Sequence, residues 1–306
     1  PQSASTTSRM EHADYTLSLD QRTEKAKGNI LFRSGKFAEA LDVGLSLLKR
    51  SPYLKRNPSV VGFVMNCYFR LEDYERALPF AEKLLLLEPD NKVALGVAML
   101  SAHRLGDCEQ TLRYAEEMLT HENDNKQAIG IAALSAQRLG RYEVALLYAK
   151  KGLAIDPDSA TDLGIAMYCN MKLKKYPEAY RLALRLLELE PDNIANLGTA
   201  VHSAYQMGRY DEVVKYGERS LKLQPDNIAI LTQVTSTYEK LGLGQAARAY
   251  QARLNRMRAR EIEMQNFRWG GSQNLTSNTK KFIINIYEDD EVNRSIPYYI
   301  YRTVFG

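Results

Sequence analysis

Apolar residues along this chain recur at helical spacing in short blocks, and each block ends at a sharp break. Between Lys92 and Leu105 the side chains Val93, Val97, Leu100 and Leu105 fall near a helical period. Gly106 and Asp107 interrupt that block, and Leu112, Ala115 and Leu119 resume it. Such a pattern predicts two amphipathic helices joined by a tight turn. The same alternation runs through residues 21–265, which predicts an all-α span with few long loops.

The blocks themselves repeat. Pro157, Pro191 and Pro225 are spaced by 34 residues, and Gly62, Gly96, Gly130, Gly164 and Gly198 keep the same step without a gap. Gly106, Gly140, Gly208 and Gly242 form another column, with Lys174 in the missing place. Tyr74, Tyr142, Tyr176 and Tyr210 form a third, in which Cys108 replaces one member. Ala77, Ala145, Ala179 and Ala247 form a fourth, broken by Thr111 and Val213. Several columns in one register define a unit of 34 residues, with units at 21–54, 58–91, 92–125, 126–159, 160–193, 194–227 and 228–265. Pro52 lies 37 residues before Pro89, so the first connection carries three extra residues near 56–58. Pro-Asp-Asn triplets at 89–91, 191–193 and 225–227 mark the joints. Proline stops the incoming helix, and the Asp or Asn offers a side-chain oxygen to the free amides of the next one. A unit this small cannot bury both its faces, so neighbours must stack into a shared core.

Gln21–Ala40, "QRTEKAKGNILFRSGKFAEA", resembles the start of a tetratricopeptide repeat: Gly28, Leu31, Gly35, Phe37 and Ala40 stand where that family has its glycine, large apolar residue, turn glycine, aromatic and alanine. The resemblance extends over 21–265 as six repeats and a seventh helical pair. That last pair departs from the pattern at Gly244, where the aromatic belongs, and its second helix, 245–265, runs long and charged as a solvent-facing cap should. The resemblance implies a right-handed superhelix whose first helices line a concave face that binds a partner protein or peptide. It therefore implies a non-enzymatic scaffold or adaptor. The groove residues it implies are Phe63, Asn66, Phe69, Arg70, Val97, Leu100, His103, Arg104, Ile131, Leu134, Gln137, Arg138, Tyr168, Lys172, His202 and Tyr205.

Two ladders stand on that implied face. The five-glycine column falls inside the first helices, where glycine costs about 0.5–1 kcal/mol relative to alanine. Either a ligand backbone approaches there, or neighbouring first helices pack closely. The second ladder is basic: Arg33, Arg70, Arg104, Arg138, Lys172 and Lys240, with Gln206 breaking it. It suits an acidic partner peptide, although a cation at a helix C-terminus also suits the macrodipole. The family's carboxylate clamp for chaperone C-termini is incomplete. Lys25 and Asn29 match its first members, but Phe63, Val93 and Val97 stand where asparagine and basic residues are needed.

Composition removes other classes. A net charge of +4 is far below that of a dedicated nucleic-acid binder, and no apolar run is long enough to span a membrane. Cys67, Cys108 and Cys169 lie apart in helical blocks and read as free thiols, and His12, His103, His121 and His202 show no metal spacing. We therefore expect no cofactor and no metal. The glycines of 242–247 imitate a dinucleotide loop but follow a helix rather than a strand, so they lack its context. The free thiols favour a reducing cytoplasm; the start shows no signal-peptide pattern, although a leader removed before Pro1 would permit another compartment.

The ends differ from the middle. Residues 1–20 begin polar and aperiodic and are expected to be flexible. Residues 266–306 read as a linker followed by a β-prone tail, "KKFIINIY" at 280–287 and "IPYYIYRTVF" at 296–305, around the acidic run Glu288, Asp289, Asp290 and Glu291. Self-association or autoinhibition through 280–305, or a functional module carried at the C-terminus, is the alternative reading.

Overall fold

The computed structural model describes residues 17–269. The expected flexible start and β-prone tail lie outside the described residues, apart from the few residues of each that fall within 17–20 and 266–269. The described chain contains fourteen α-helices. They are α1 (Leu19–Arg33), α2 (Phe37–Arg50), α3 (Pro58–Arg70), α4 (Tyr74–Leu87), α5 (Lys92–Leu105), α6 (Cys108–His121) and α7 (Lys126–Arg138), then α8 (Tyr142–Ile155), α9 (Ala160–Lys172), α10 (Tyr176–Leu189), α11 (Ile194–Gln206), α12 (Tyr210–Leu223), α13 (Ile228–Lys240) and α14 (Gly244–Trp269). The longer first connection holds a short 3-10 turn, Pro52–Arg56, whose Leu54 is fully buried.

The helices fall into two compact units, one ending at Cys169 and the other beginning at Asn170. In the first unit each helix from α1 to α8 packs on the next, and in the second the same holds from α10 to α14. This is the stacked helical pairing of a tetratricopeptide-repeat solenoid.

The joints show why the sequence folds this way locally. Asn57, Asn91, Asn125, Asn193 and Asn227 cap α3, α5, α7, α11 and α13, each side-chain oxygen accepting from a backbone N–H three residues on. Four of these asparagines use their other half as well. The Nδ2 of Asn91 donates to Glu88 at 2.7 Å, Asn125 to Glu122 at 2.9 Å, Asn193 to Glu190 at 2.7 Å and Asn227 to Gln224 at 3.1 Å. Aspartate could cap the helix but could not donate. Within each pair the turn needs a left-handed residue, and Gly35, Gly106, Gly140, Gly208 and Gly242 supply it. Lys174, the odd member of the glycine column, adopts φ 58°, and Glu72 adopts φ 60° at the matching place in the second repeat. The turn geometry prevails over the residue's own preference, at a cost of about 1–2 kcal/mol.

Packing between repeats is a matter of matched volumes. A Cβ added at Gly44 would sit 2.6 Å from Val64 Cγ2, and one at Gly217 would collide with Val234 Cγ2. In the repeat register these two positions are otherwise Ala-Ala, at Ala81 and Ala98, Ala115 and Ala132, Ala149 and Ala166, and Ala183 and Ala200. Wherever the later repeat carries valine, the earlier one has given up its β-carbon. Phe63 is accommodated in the same way, since a Cβ at Gly28 would lie 2.8 Å from its Cζ.

Second helices are braced on their outer side by tyrosine–glutamate pairs. Tyr114 donates its hydroxyl to Glu82 at 2.7 Å and Tyr148 to Glu116 at 3.2 Å. Burial first, then the neighbouring carboxylate, pushes both phenols up to about 12. An unfolded tyrosine ionises near 10, so the folded state holds these protons more tightly. The stabilisation is complete below pH 10 and is lost as pH rises towards 12. Urea midpoints should therefore fall steeply over that window, and Tyr114→Phe with Tyr148→Phe should flatten the fall.

The two-sided caps make a further prediction. Aspartate and asparagine are about equal as N-caps in general. Here Asn91→Asp removes the bond to Glu88 and sets two carboxylates together, so chemical denaturation at pH 7 should show a loss of about 1 kcal/mol. An unchanged midpoint would show that the second bond contributes nothing.

Candidate functional site

Across each first helix, exposure rises along four successive columns of the repeat. Phe63 and Val97 are 8% and 6% exposed. Both are mostly buried, Phe63 because its ring fills the space left by Gly28 and Gly44. Ile131, their counterpart in α7, is half-buried. Asn66, Leu100, Leu134, Tyr168 and His202 are half-buried, as are Phe69, His103, Gln137 and Tyr205. Arg70, Arg104, Arg138 and Lys172 are exposed.

In the first unit α1, α3 and the start of α5 enclose an open cleft of about 440 Å³. Phe32, Pro58, Phe63, Met65, Leu84 and Val93 make its apolar lining, and Lys25, Asn29, Ser59 and Asn66 are among its polar groups. Burial holds the Lys25 ammonium below the usual lysine range. Among the described residues Lys25 has no carboxylate partner, and the carboxamides of Asn29 and Asn66 have no hydrogen-bond partner. Val93 is 61% exposed although apolar, and it forms the rim. Ser59 and Met65 were missed by the groove inferred from sequence because only one face of each first helix was counted, and Leu84 because it lies on a second helix, α4.

The basic ladder of this unit comprises Arg33, Arg70, Arg104 and Arg138, all exposed at the C-terminal ends of α1, α3, α5 and α7. Arg70 lies over the Phe37 ring at 4.8 Å. Among the described residues none of the four forms an ion pair. By contrast Arg50, Arg76 and Arg141 of the same unit each meet a carboxylate, on Glu24, Asp73 and Glu109. His103 reports the resulting field. Its pKa is lowered by burial first, then by Arg138 and Arg104.

In the second unit the groove side chains are more engaged with one another. His202 accepts at Nδ1 from Gln233 at 2.9 Å, and its ring lies 5.9 Å from that of Tyr176. Burial lowers its pKa, favouring the neutral ring. The Lys240 ammonium sits over the rings of Tyr205 at 4.6 Å and Tyr210 at 5.2 Å. Tyr205 also shares a 3.0 Å hydrogen bond with Ser236. Gln233 and Ser236 were absent from the inferred groove, yet Ser236 lies one 34-residue step beyond His202 and Gln233 three such steps beyond Ile131.

The glycine column divides. A Cβ at Gly62 would meet Leu84 at 3.2 Å and one at Gly96 would meet Met118 at 3.7 Å. At Gly130, Gly164 and Gly198 it would meet nothing within 4 Å. Close packing thus gives a reason for glycine at Gly62 and none at the other three. Gly130→Ala and Gly164→Ala should each raise stability by about 0.5–1 kcal/mol, which thermal denaturation would register. A loss instead would reveal a packing demand at these positions.

Among the described residues no group of three or more His, Cys, Asp or Glu could hold a metal ion, and no described helix is long and apolar enough to cross a membrane. Cys67 and Cys169 are buried, and burial pushes their thiols up to about 12 and about 11.

No protein-family model and no curated protein matches the sequence. Solved structures of MamA are similar to it in fold. One MamA structure aligns at 16% identity over 59% of this chain and 96% of its own, with a TM-score of 0.51. A doubly substituted MamA of RS-1 aligns at 14% identity over 56% of this chain and 97% of its own, with a TM-score of 0.51. MamA from Desulfovibrio magneticus RS-1, residue 41 to its end, aligns at 15% identity over 56% and 96%, with a TM-score of 0.50. Identity at this level establishes a shared fold and nothing finer.

Proposed function

We propose that this chain is a non-enzymatic protein-interaction scaffold, and that an acidic segment of a partner protein lies along the first-helix faces of its repeats. The observation that carries the reading is the row itself: Arg33, Arg70, Arg104 and Arg138 stand exposed in repeat register, and among the described residues none of them forms an ion pair. The helix macrodipole accounts for a basic residue at each of these ends, worth about 0.3–1 kcal/mol. It does not account for the absence of any acid beside all four. Rows of like charge raise the energy of the free protein and are relieved by an acidic ligand, which they also steer into place.

The open cleft supports the same reading, because it joins an apolar lining to Lys25, Asn29 and Asn66, which have no carboxylate or hydrogen-bond partner among the described residues, beside the mutually bonded Glu88 and Asn91. So do the glycines. Gly130, Gly164 and Gly198 forgo helix stability without a packing reason, and a ligand backbone passing close to the helix would supply one. The half-buried residues Asn66, Leu100, Leu134 and Tyr168 form the remaining contact surface in the first unit, with Phe69, His103 and Gln137 beside them. In the second unit it is formed by His202 and Tyr205, with Lys172 at the edge.

A second reading rests on sequence charge alone. The run Glu288, Asp289, Asp290 and Glu291 of this chain, or of a second copy, could fill the same row and so cause self-association or autoinhibition.

The test is affinity capture from the source cells with wild-type protein and with Arg70→Glu/Arg104→Glu/Arg138→Glu, followed by mass spectrometry. Partners held by the wild type should be lost from the triple variant by about tenfold or more, and from the wild type as salt rises from 50 to 300 mM, on the order of the screening expected for exposed charges. Capture unchanged by charge reversal removes the basic row from the function. Gly130→Ala/Gly164→Ala should weaken capture while the fold becomes more stable. Sedimentation of the full chain against a chain ending at Trp269 separates the second reading, which requires the two to differ.

A further inference from the structure

The basic row also carries information about the shape of what binds it. We infer that the acidic segment is extended, in a polyproline-II-like conformation, with an acidic residue at every third position. This rests on the acidic-partner reading above and specifies the ligand for that same row.

The spacing follows from the stacking. Arg33, Arg70, Arg104 and Arg138 occupy the same place on successive first helices, at the last position of α1, α3 and α7 and one residue short of the end of α5. Helices in direct contact lie about 8–10 Å apart, and α3 touches α5 without an intervening helix. The Arg70 guanidinium is anchored on the Phe37 ring of the preceding repeat, and the Phe32 and Phe63 rings of α1 and α3 stand 6.3 Å apart. From Arg70 to Arg104 the cations therefore advance by about one helix spacing, roughly 10 Å, and the 34-residue register carries that step to the rest of the row.

Few backbones offer carboxylates at that step on one side. A β-strand presents same-side residues about 6.6 Å or about 13 Å apart, and neither matches. A polyproline-II segment turns once in three residues and rises about 9.3 Å per turn, so every third side chain returns to the same face. An α-helix comes close with every seventh residue, about 10.5 Å. One observation separates these last candidates. Asn29 and Asn66 present carboxamides with no partner among the described residues, which suits a chain whose own N–H and C=O groups are free. A helix has already used those groups internally, whereas a polyproline-II segment has no internal hydrogen bonds.

Three twelve-residue peptides of identical composition test the inference against the full chain by fluorescence anisotropy at 50 mM salt. Their four glutamates stand at every third position, at every second position, or in one block. A fourth, helix-forming peptide carries glutamate at every seventh position. The third-position peptide should bind about tenfold more tightly than the block, and Arg104→Gln should lower its affinity about twofold to fivefold, as expected for one exposed ion pair. Equal binding by the three short peptides overturns the spacing and leaves the acidic-partner reading standing. Tighter binding by the helical peptide overturns the extended conformation. Binding by none of the four overturns the inference as well. The broader reading falls with it only if the charge-reversed triple variant also keeps its captured partners.

Discussion

A pair of short amphipathic helices has more apolar surface than it can hide by itself, and the contact between one pair and the next is the constraint on which each unit of this protein depends. The contact works by exchange of volume. Valine enters at Val64 and Val234 only because Gly44 and Gly217 have no β-carbon, and Phe63 enters because Gly28 leaves room. Where both partners are alanine, as at Ala115 and Ala132, no such exchange is needed. Core packing at this density leaves little slack for a methyl group out of place. The register of the repeat is thus enforced by size at one layer and by the asparagine caps at the joints.

That constraint also frees one surface. Burial is met by the faces that helices turn towards their neighbours, so the outer columns of the first helices are released from packing. Their residues vary in a way the inner columns do not: Asn66, Leu100, Leu134, Tyr168 and His202 share one column and have no common chemistry. The terminal column keeps a positive charge through the first unit and leaves it unpaired, while tyrosine–glutamate pairs brace the second helices. Among the described residues the four cations of that line form no ion pair, so the line is free to meet an external charge.

The two units do not present the same surface. The first has an open cleft and, among the described residues, a desolvated lysine without a carboxylate and four guanidiniums without an ion pair. In the second, Lys240 is held by Tyr205 and Tyr210, and His202 by Gln233 and Tyr176. Groove residues that were equivalent as a column are thus unequal in what they can still bind. Substituting tyrosines near the end of the column converts free groups into mutually satisfied ones.

Much of this was legible in the chain before any coordinates. The 34-residue period, the helical pairs, the turn residues and the caps are written locally, in contacts three to five residues apart, and reading them requires only the sequence. Even the exception at Lys174 could be placed, because the turn dictates its backbone. Accessibility and pairing were decided only by the tertiary structure. Phe63 and Val97 belong to the column pattern of the groove yet are only 8% and 6% exposed. Gly62 meets Leu84 whereas Gly130 and Gly164 meet nothing, and Arg141 finds Glu109 while Arg138 finds no acid. These outcomes depend on side chains about one repeat away, whose sizes and reach differ from repeat to repeat. A periodic pattern predicts the position of such a residue, and only the packed neighbours determine what is left exposed there.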